Sequence, residues 1–140
     1  MMKSDYSDAE GIRDPETYAI IGAAMEVHRE LHHGLLESVY QDGLEVEFSA
    51  RRVSFEREKL LQVFYKETAL PGFFKADFVC FGSVIVECKS QSSIGVAEEA
   101  QVMNYLRISG LERAVLLNFG TASLQYRRFV LSNNNLRKSV

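Results

Sequence analysis

The sequence predicts a mixed α/β (α+β) domain, a mixed central sheet flanked by helices with two helices ahead of it. Three observations carry this reading. Apolar residues recur at helical spacing over residues 15–50 and again over 94–109, while the period falls to two between Val53 and Ser90. The run ERAVLLNFG after the third helix is apolar on both faces, which suits a parallel strand following a helical crossover. The order read from these signals is α-α-β-β-β-β-α-β-β.

Asp14-Pro15-Glu16 is a helix start, with an N-cap, proline at the first helical position and an acid in the first turn. That helix is expected to reach about Leu31, with Ile21, Ala24, His28 and Leu31 on one stripe. His28 and His32 are four apart, but the order H-R-E-L-H favours a partly buried structural histidine over a metal pair. Gly34 breaks the run. A second helix is expected from about Leu35 to Ala50, placing Glu37, Tyr40, Leu44 and Phe48 on one face. An ionisable Glu37 in that apolar row is met either by Tyr40 and a basic partner or by the charged end of a hairpin further on.

VSFEREK and LLQVFYK read as two strands, with Glu67-Thr68 as the turn into the next. Residues 94–109 read as a helix with Ile94, Ala97, Gln101, Tyr105 and Ile108 on one stripe, closed by Gly110. Gln101 and Tyr105 lie one turn apart and can reach out of that helix together. LQYRRFVL is a last, alternating strand. Polar tails are expected over 1–13 and 133–140, bounding a single domain over 14–132.

Composition is that of a globular chain, 46% hydrophobic and 25% charged. There is no apolar run of membrane-spanning length and no signal-peptide core, so a cytoplasmic protein without membrane contact is expected. Cys80 and Cys88 are read as reduced core residues, and no Cys or His pairs stand at zinc-finger spacing. The net charge of −3 divides unevenly: residues 1–50 hold 3 basic and 11 acidic side chains, residues 51–140 hold 13 and 8. A surface for nucleic acid is therefore expected from the second half, with Arg51, Arg52, Arg57, Lys59, Arg127 and Arg128 as candidates.

The chemistry lies in FFKADFVCFGSVIVECKS, residues 73–90, read as a hairpin. Alternation puts Lys75, Asp77, Val79, Phe81, Ser83, Ile85, Glu87 and Lys89 on one face, and Phe74, Ala76, Phe78, Cys80, Val84, Val86, Cys88 and Ser90 on the other. Charge on the first face gathers at the open end. Buried carboxylates are costly unless paired or holding a metal. A two-residue turn at Gly82-Ser83 opposes Asp77 to Cys88 and splits the carboxylates across the sheet. A three-residue loop, Phe81-Gly82-Ser83, opposes Asp77 to Glu87, with Gly82 able to take φ > 0. A salt-bridged edge hairpin is the structural alternative to a site.

Asp77 followed by Glu87-Cys88-Lys89 resembles the signature of PD-(D/E)XK nucleases. GLLESVY (34–40) matches the motif of the GxxExxY proteins, which are grouped with that superfamily. The resemblance continues through EVHREL (26–31), KAD (75–77), IVECK (85–89), EAQVMNYL (99–106) and LLNF (116–119). Gln101-x-x-x-Tyr105 also resembles a helix motif of the exonuclease branch, where the pair positions nucleic acid. The chain departs from the family in having Lys75 where arginine is common and His32-His33 where Gly-Pro is common.

The resemblance implies a restriction-endonuclease-like core and a Mg²⁺- or Mn²⁺-dependent nuclease acting on nucleic acid, with DNA as the expected substrate. Asp77, Glu87 and the Cys88 backbone carbonyl would hold the metal. Glu37 would hold a metal-bound water or a second ion, Lys89 would orient the attacking water, and Gln101 and Tyr105 would bind substrate. The alternative is a catalytically silent module of the same fold that binds nucleic acid or a protein partner. A third reading is an oligomerising accessory protein, and a homo-oligomer is an open partner.

Overall fold

A computed structural model describes residues 14–131, so the tails expected over 1–13 and 133–140 lie outside it. Asp14 caps the first helix through its side chain, Oδ1 accepting the Thr17 N–H at 3.1 Å, and α1 spans Pro15–Leu31. The capping carboxylate is itself buried. It is met by Arg113 at 2.7 Å and Arg128 at 2.9 Å, which ties the helix start to the far edge of the sheet. α2 spans Glu37–Ala50, beginning two residues after the expected Leu35. Its row is as read: Tyr40, Leu44 and Phe48 are fully buried. Each contributes about 1.5–3 kcal/mol of apolar burial.

Five strands form one sheet in chain order: β1 (Phe55–Tyr65), β2 (Thr68–Cys80), β3 (Val84–Lys89), β4 (Arg113–Asn118) and β5 (Gln125–Val130). β3 and β4 are parallel, joined by α3 (Val96–Ser109), and the other neighbours are antiparallel. α3 ends at Gly110, whose φ of 79° is the left-handed cap expected of it. α1 and α2 cover one face of the sheet through Ile20, Ala24, Val27, Leu44, Phe48, Phe78, Val86 and Leu117. α3 covers the other through Val102 and Leu106, packed with Val79, Ile85, Ala114 and Leu116. β3 and β4 are buried on both faces. Both cysteines are free and buried, and burial pushes the Cys80 thiol up to about 12.

Four expectations are corrected. VSFEREK and LLQVFYK form one strand, because nothing between Lys59 and Leu60 can turn the chain. The turn before β2 is Lys66-Glu67 rather than Glu67-Thr68, and it pairs Tyr65 with Thr68. The apolar stripe of α3 is Val102 and Leu106, flanked by half-buried Met103 and Tyr105, while Ala97 and Gln101 are exposed.

The fourth concerns the sheet faces. Phe78 packs under α2, but Ala76 packs with the α3 cluster, and Phe74 stacks on Tyr105 of α3 at 4.1 Å. β1 changes face at the same level, Phe55 lying on the α2 side and Leu61 on the α3 side. Between them Glu58 has φ of 53°, and the pairing skips Glu58 and Asp77 while Arg57↔Phe78 and Lys59↔Ala76 hold on either side. Both strands break together, so register is kept and every side chain beyond Asp77 changes face.

Candidate active site

The hairpin carrying Asp77 and Glu87 has the three-residue loop. β2 and β3 pair as Cys80↔Val84, Val79↔Ile85 and Phe78↔Val86, leaving Phe81-Gly82-Ser83 as the connection. Phe81 and Gly82 take φ of 57° and 67°. The next pair in this register is Asp77 and Glu87, and there the backbone ladder stops. The Asp77 N–H donates to Glu87 Oε2 at 2.8 Å, and the Cys88 N–H donates to Asp77 Oδ2 at 2.7 Å. Each carboxylate thus occupies the gap where the strands part. N–H and C=O of one strand residue leave on the same edge, so the Cys88 carbonyl also faces the β2 side.

Glu37 reaches this place because of how its helix is launched. Gly34 takes φ of 102°, which needs glycine, and sends the chain back over the sheet. The Tyr40 hydroxyl donates to the His32 carbonyl at 2.6 Å and accepts the Leu35 N–H at 3.1 Å, clamping the loop ahead of Glu37. Its ring stacks on Phe119 at 4.6 Å. Ser90 donates to the Leu35 carbonyl at 2.6 Å, fixing that loop to the end of β3. Tyr40 therefore positions Glu37 and does not bond it.

Electrostatics joins the residues into one group. Burial raises the Glu37 carboxyl, with Lys89 drawing it down and Asp77 pushing it up. Burial likewise raises Asp77, against the Cys88 N–H and Lys89. Glu87 is only 7% exposed, and burial followed by the charge of Asp77 pushes its carboxyl up to about 8. Tyr105 is raised by burial and by Glu87 and Asp77, while Gln101 draws it down. Glu37, Asp77, Glu87, Lys89 and Tyr105 therefore share one field at the carboxyl end of β3. Gln101 is exposed and joins them only at the rim, through Tyr105. Among the described residues Lys89 forms no ion pair with these carboxylates within 4.0 Å; it stays half-buried beside them.

The same geometry bears on a divalent cation. Among the described residues no three His, Cys, Asp or Glu side chains are gathered closely enough to hold an ion unaided. The donors present are two carboxylates and one carbonyl, all oxygen, on a buried strand pair. That set fits a hard cation that keeps several waters of its own, as Mg²⁺ does. Its charge would also offset the burial and the Asp77 repulsion that raise the Glu87 carboxyl.

Other expected residues lie elsewhere. His28 is structural, its Nε2 2.9 Å from the Thr121 carbonyl and its ring beside Phe119. Most of the expected basic surface is already occupied. Arg51 pairs with Glu47, Arg57 with Asp42 and Glu45, Lys59 with Glu56, Arg127 with Glu99 and Arg128 with Asp14. Arg52 is outside these pairs.

One residue escaped the sequence reading. Asn118, fully buried at the end of β4 beside Lys89, accepts the Gln91 and Gly120 N–H groups and donates to the Gln91 carbonyl and Gln125 Oε1. It locks the segment leaving β3 that leads to α3 and Tyr105. The signal was an amide in an otherwise apolar buried strand.

Residues 14–129 match the sequence model of the PD-(D/E)XK nuclease superfamily, and the chain belongs to that superfamily. No curated protein matches the chain. Among solved structures it resembles one titled "Crystal structure of SSO0001", with a TM-score of 0.52 and 17% identity. The match covers 72% of this chain and 54% of that one, so this chain spans about half the length of the structure it resembles. The shared feature is the fold. No helix among the described residues is long and apolar enough to cross a membrane.

Proposed function

We propose that the protein is a Mg²⁺- or Mn²⁺-dependent phosphodiesterase of the GxxExxY type that cleaves nucleic acid, DNA being the expected substrate, in the cytoplasm. The observation that carries this is the meeting of Asp77 and Glu87 where the β2–β3 ladder ends, with Glu37 and Lys89 in the same field. Asp77, Glu87 and the Cys88 carbonyl would hold the ion, and Glu37 would hold water beside it. A cation held there would supply charge to offset that developing on the phosphoryl group. Lys89 orients the attacking water and faces the phosphate, and Tyr105 with Gln101 steadies the strand.

The experiment is a metal titration followed by calorimetry, with cleavage measured on single-stranded, duplex and branched DNA and RNA. Asp77-dependent binding with cleavage supports the enzyme. Binding of nucleic acid without cleavage at any metal concentration supports the silent module. The ion pairs that occupy five of the six expected basic residues favour the form of that module that binds a protein partner.

A further inference from the structure

Beyond the carboxylates the first two strands continue as an arm. β1 and β2 pair from Phe55↔Cys80 out to Tyr65↔Thr68, well past the last β2–β3 pair at Phe78↔Val86. One face of the arm is held by α3 through Leu61 and Phe74. The other is bare. Leu60 and Phe64 of β1 are 56% and 52% exposed, Phe73 of β2 is 63% exposed, and Tyr65 at the tip is 62% exposed. Phe73 stands opposite Gln62 in the register, between Leu60 and Phe64 along the arm.

The outer part of the arm carries more lysine than acid, though the arm from Phe55 to Cys80 is neutral as a whole. Residues 59–75 carry three lysines and one glutamate, a net +2 (3 − 1), against −3 for the whole sequence. At the base of the arm Lys59 and Lys75 pair with Glu56 and Glu58. At its tip Lys66 lies over the Tyr65 ring at 5.6 Å and makes no ion pair among the described residues. Exposed rings interleaved with lysines form the platform on which bases stack while the cations meet the backbone, and duplex, with its bases already stacked, cannot use it. Phe73 is also close to the site: it precedes Asp77 by four residues on one strand, about 13 Å at 3.3 Å per residue.

We infer that the outer face of the β1–β2 arm, built on Leu60, Phe64 and Phe73 with Tyr65 and Lys66 at its tip, is a stacking platform for single-stranded nucleic acid. Its binding does not depend on the nuclease reading. The chain contains no tryptophan, so Phe73→Trp places a single fluorescent reporter on the platform.

Binding of a labelled oligothymidylate and of a duplex is measured by anisotropy in EDTA, so that cleavage cannot intervene. Phe64→Ala and Phe73→Ala should each weaken single-strand binding about 5- to 150-fold and leave duplex binding within about 3-fold. Phe73→Trp should keep wild-type affinity, with its indole emission quenched by the oligonucleotide and not by duplex. Unchanged single-strand affinity in the alanine variants, or indole emission that the oligonucleotide leaves unquenched in Phe73→Trp, overturns the proposal. So does a wild-type dimer that the alanine variants convert to monomer without altering DNA affinity, since the arm is then a contact between copies. If the alanine variants misfold, the quenching decides. Arm-dependent binding with no metal-dependent cleavage sinks the nuclease reading and leaves the platform standing.

Discussion

The Glu87 carboxylate accepts the Asp77 N–H at 2.8 Å, and the Asp77 carboxylate accepts the Cys88 N–H at 2.7 Å. Two acids thus replace the backbone ladder where the strands separate, and each is fixed by the other's strand. The cost is electrostatic, for two carboxylates are held side by side beneath the surface. It is this cost that gives the site its expected response to pH and metal.

Glu87 titrates near 8 in the fold, raised by burial and then by Asp77, from an ordinary 4.5. The folded state therefore keeps a proton that the unfolded chain has released between those values. With more protons bound in the folded state, stability falls as pH rises from about 4.5 to 8 and levels off above. Glu87→Gln should flatten this slope and raise the melting temperature at pH 8.5. Metal must displace the same proton, so apparent affinity should improve by up to tenfold per pH unit below 8. Melting curves and metal calorimetry across pH 5–9 check both; a pH-independent affinity removes Glu87 from the ligands.

Tyr40→Phe tests the positioning of Glu37. The ring can still stack on Phe119, but the hydroxyl bonds to His32 and Leu35 are lost. Leaving those partners unsatisfied should cost about 1–2 kcal/mol in urea denaturation. Cleavage should fall further than stability does, because the clamped loop launches Glu37. A variant as active as the wild type shows that Glu37 needs no such clamp.

Two glycines should fail for different reasons. Gly34 has open space around it and φ of 102°, so Gly34→Ala should cost about 1–2 kcal/mol through backbone strain alone. At Gly120 a Cβ would fall inside the Gln91 backbone, where nothing flexible can yield. Gly120→Ala should destabilise by about 3 kcal/mol or more and release the Asn118 clamp. Chemical denaturation of the two variants side by side measures the difference; equal, small costs would show that the Gln91 segment shifts freely.

The site was legible where the physics is local. Loop parity, set by Gly82 and the alternation of the hairpin, was enough to oppose Asp77 to Glu87. Glu37 stood out as an ionisable residue on an apolar and aromatic helical row. What escaped was set by partners distant in sequence. The change of face at Glu58 and Asp77 needs both strands to break together, and neither segment signals it alone. The stripe of α3 follows the sheet it covers, so Val102 and Leu106 face inward where periodicity favoured Gln101. The basic excess of the second half is met by acids of the first, as Arg57 with Asp42 and Arg128 with Asp14 show. Asn118 makes sense only once Gln91 and Gln125 stand beside it.

The last prediction separates holding the metal from using it. Lys89 is two residues from Glu87 on β3 and draws down Glu37, Asp77 and Glu87, yet among the described residues it forms no ion pair with them. Its ammonium is thus free to meet water and phosphate, and it adds positive charge that opposes a bound cation. Lys89→Ala should fold as stably as the wild type to within about 1 kcal/mol, since no ion pair is broken. Loss of Lys89 raises the Glu87 carboxyl further, so metal affinity should fall near pH 8 and be unchanged or slightly higher only well above it. Cleavage should fall by at least about 100-fold, the scale of a lost proton-transfer or charge-stabilising group. Asp77→Ala should lose cleavage and metal binding together, because a ligand is removed. Calorimetry and single-turnover cleavage on the two variants separate the roles. If Lys89→Ala cleaves like the wild type, Lys89 only balances charge, and the water is oriented by another group.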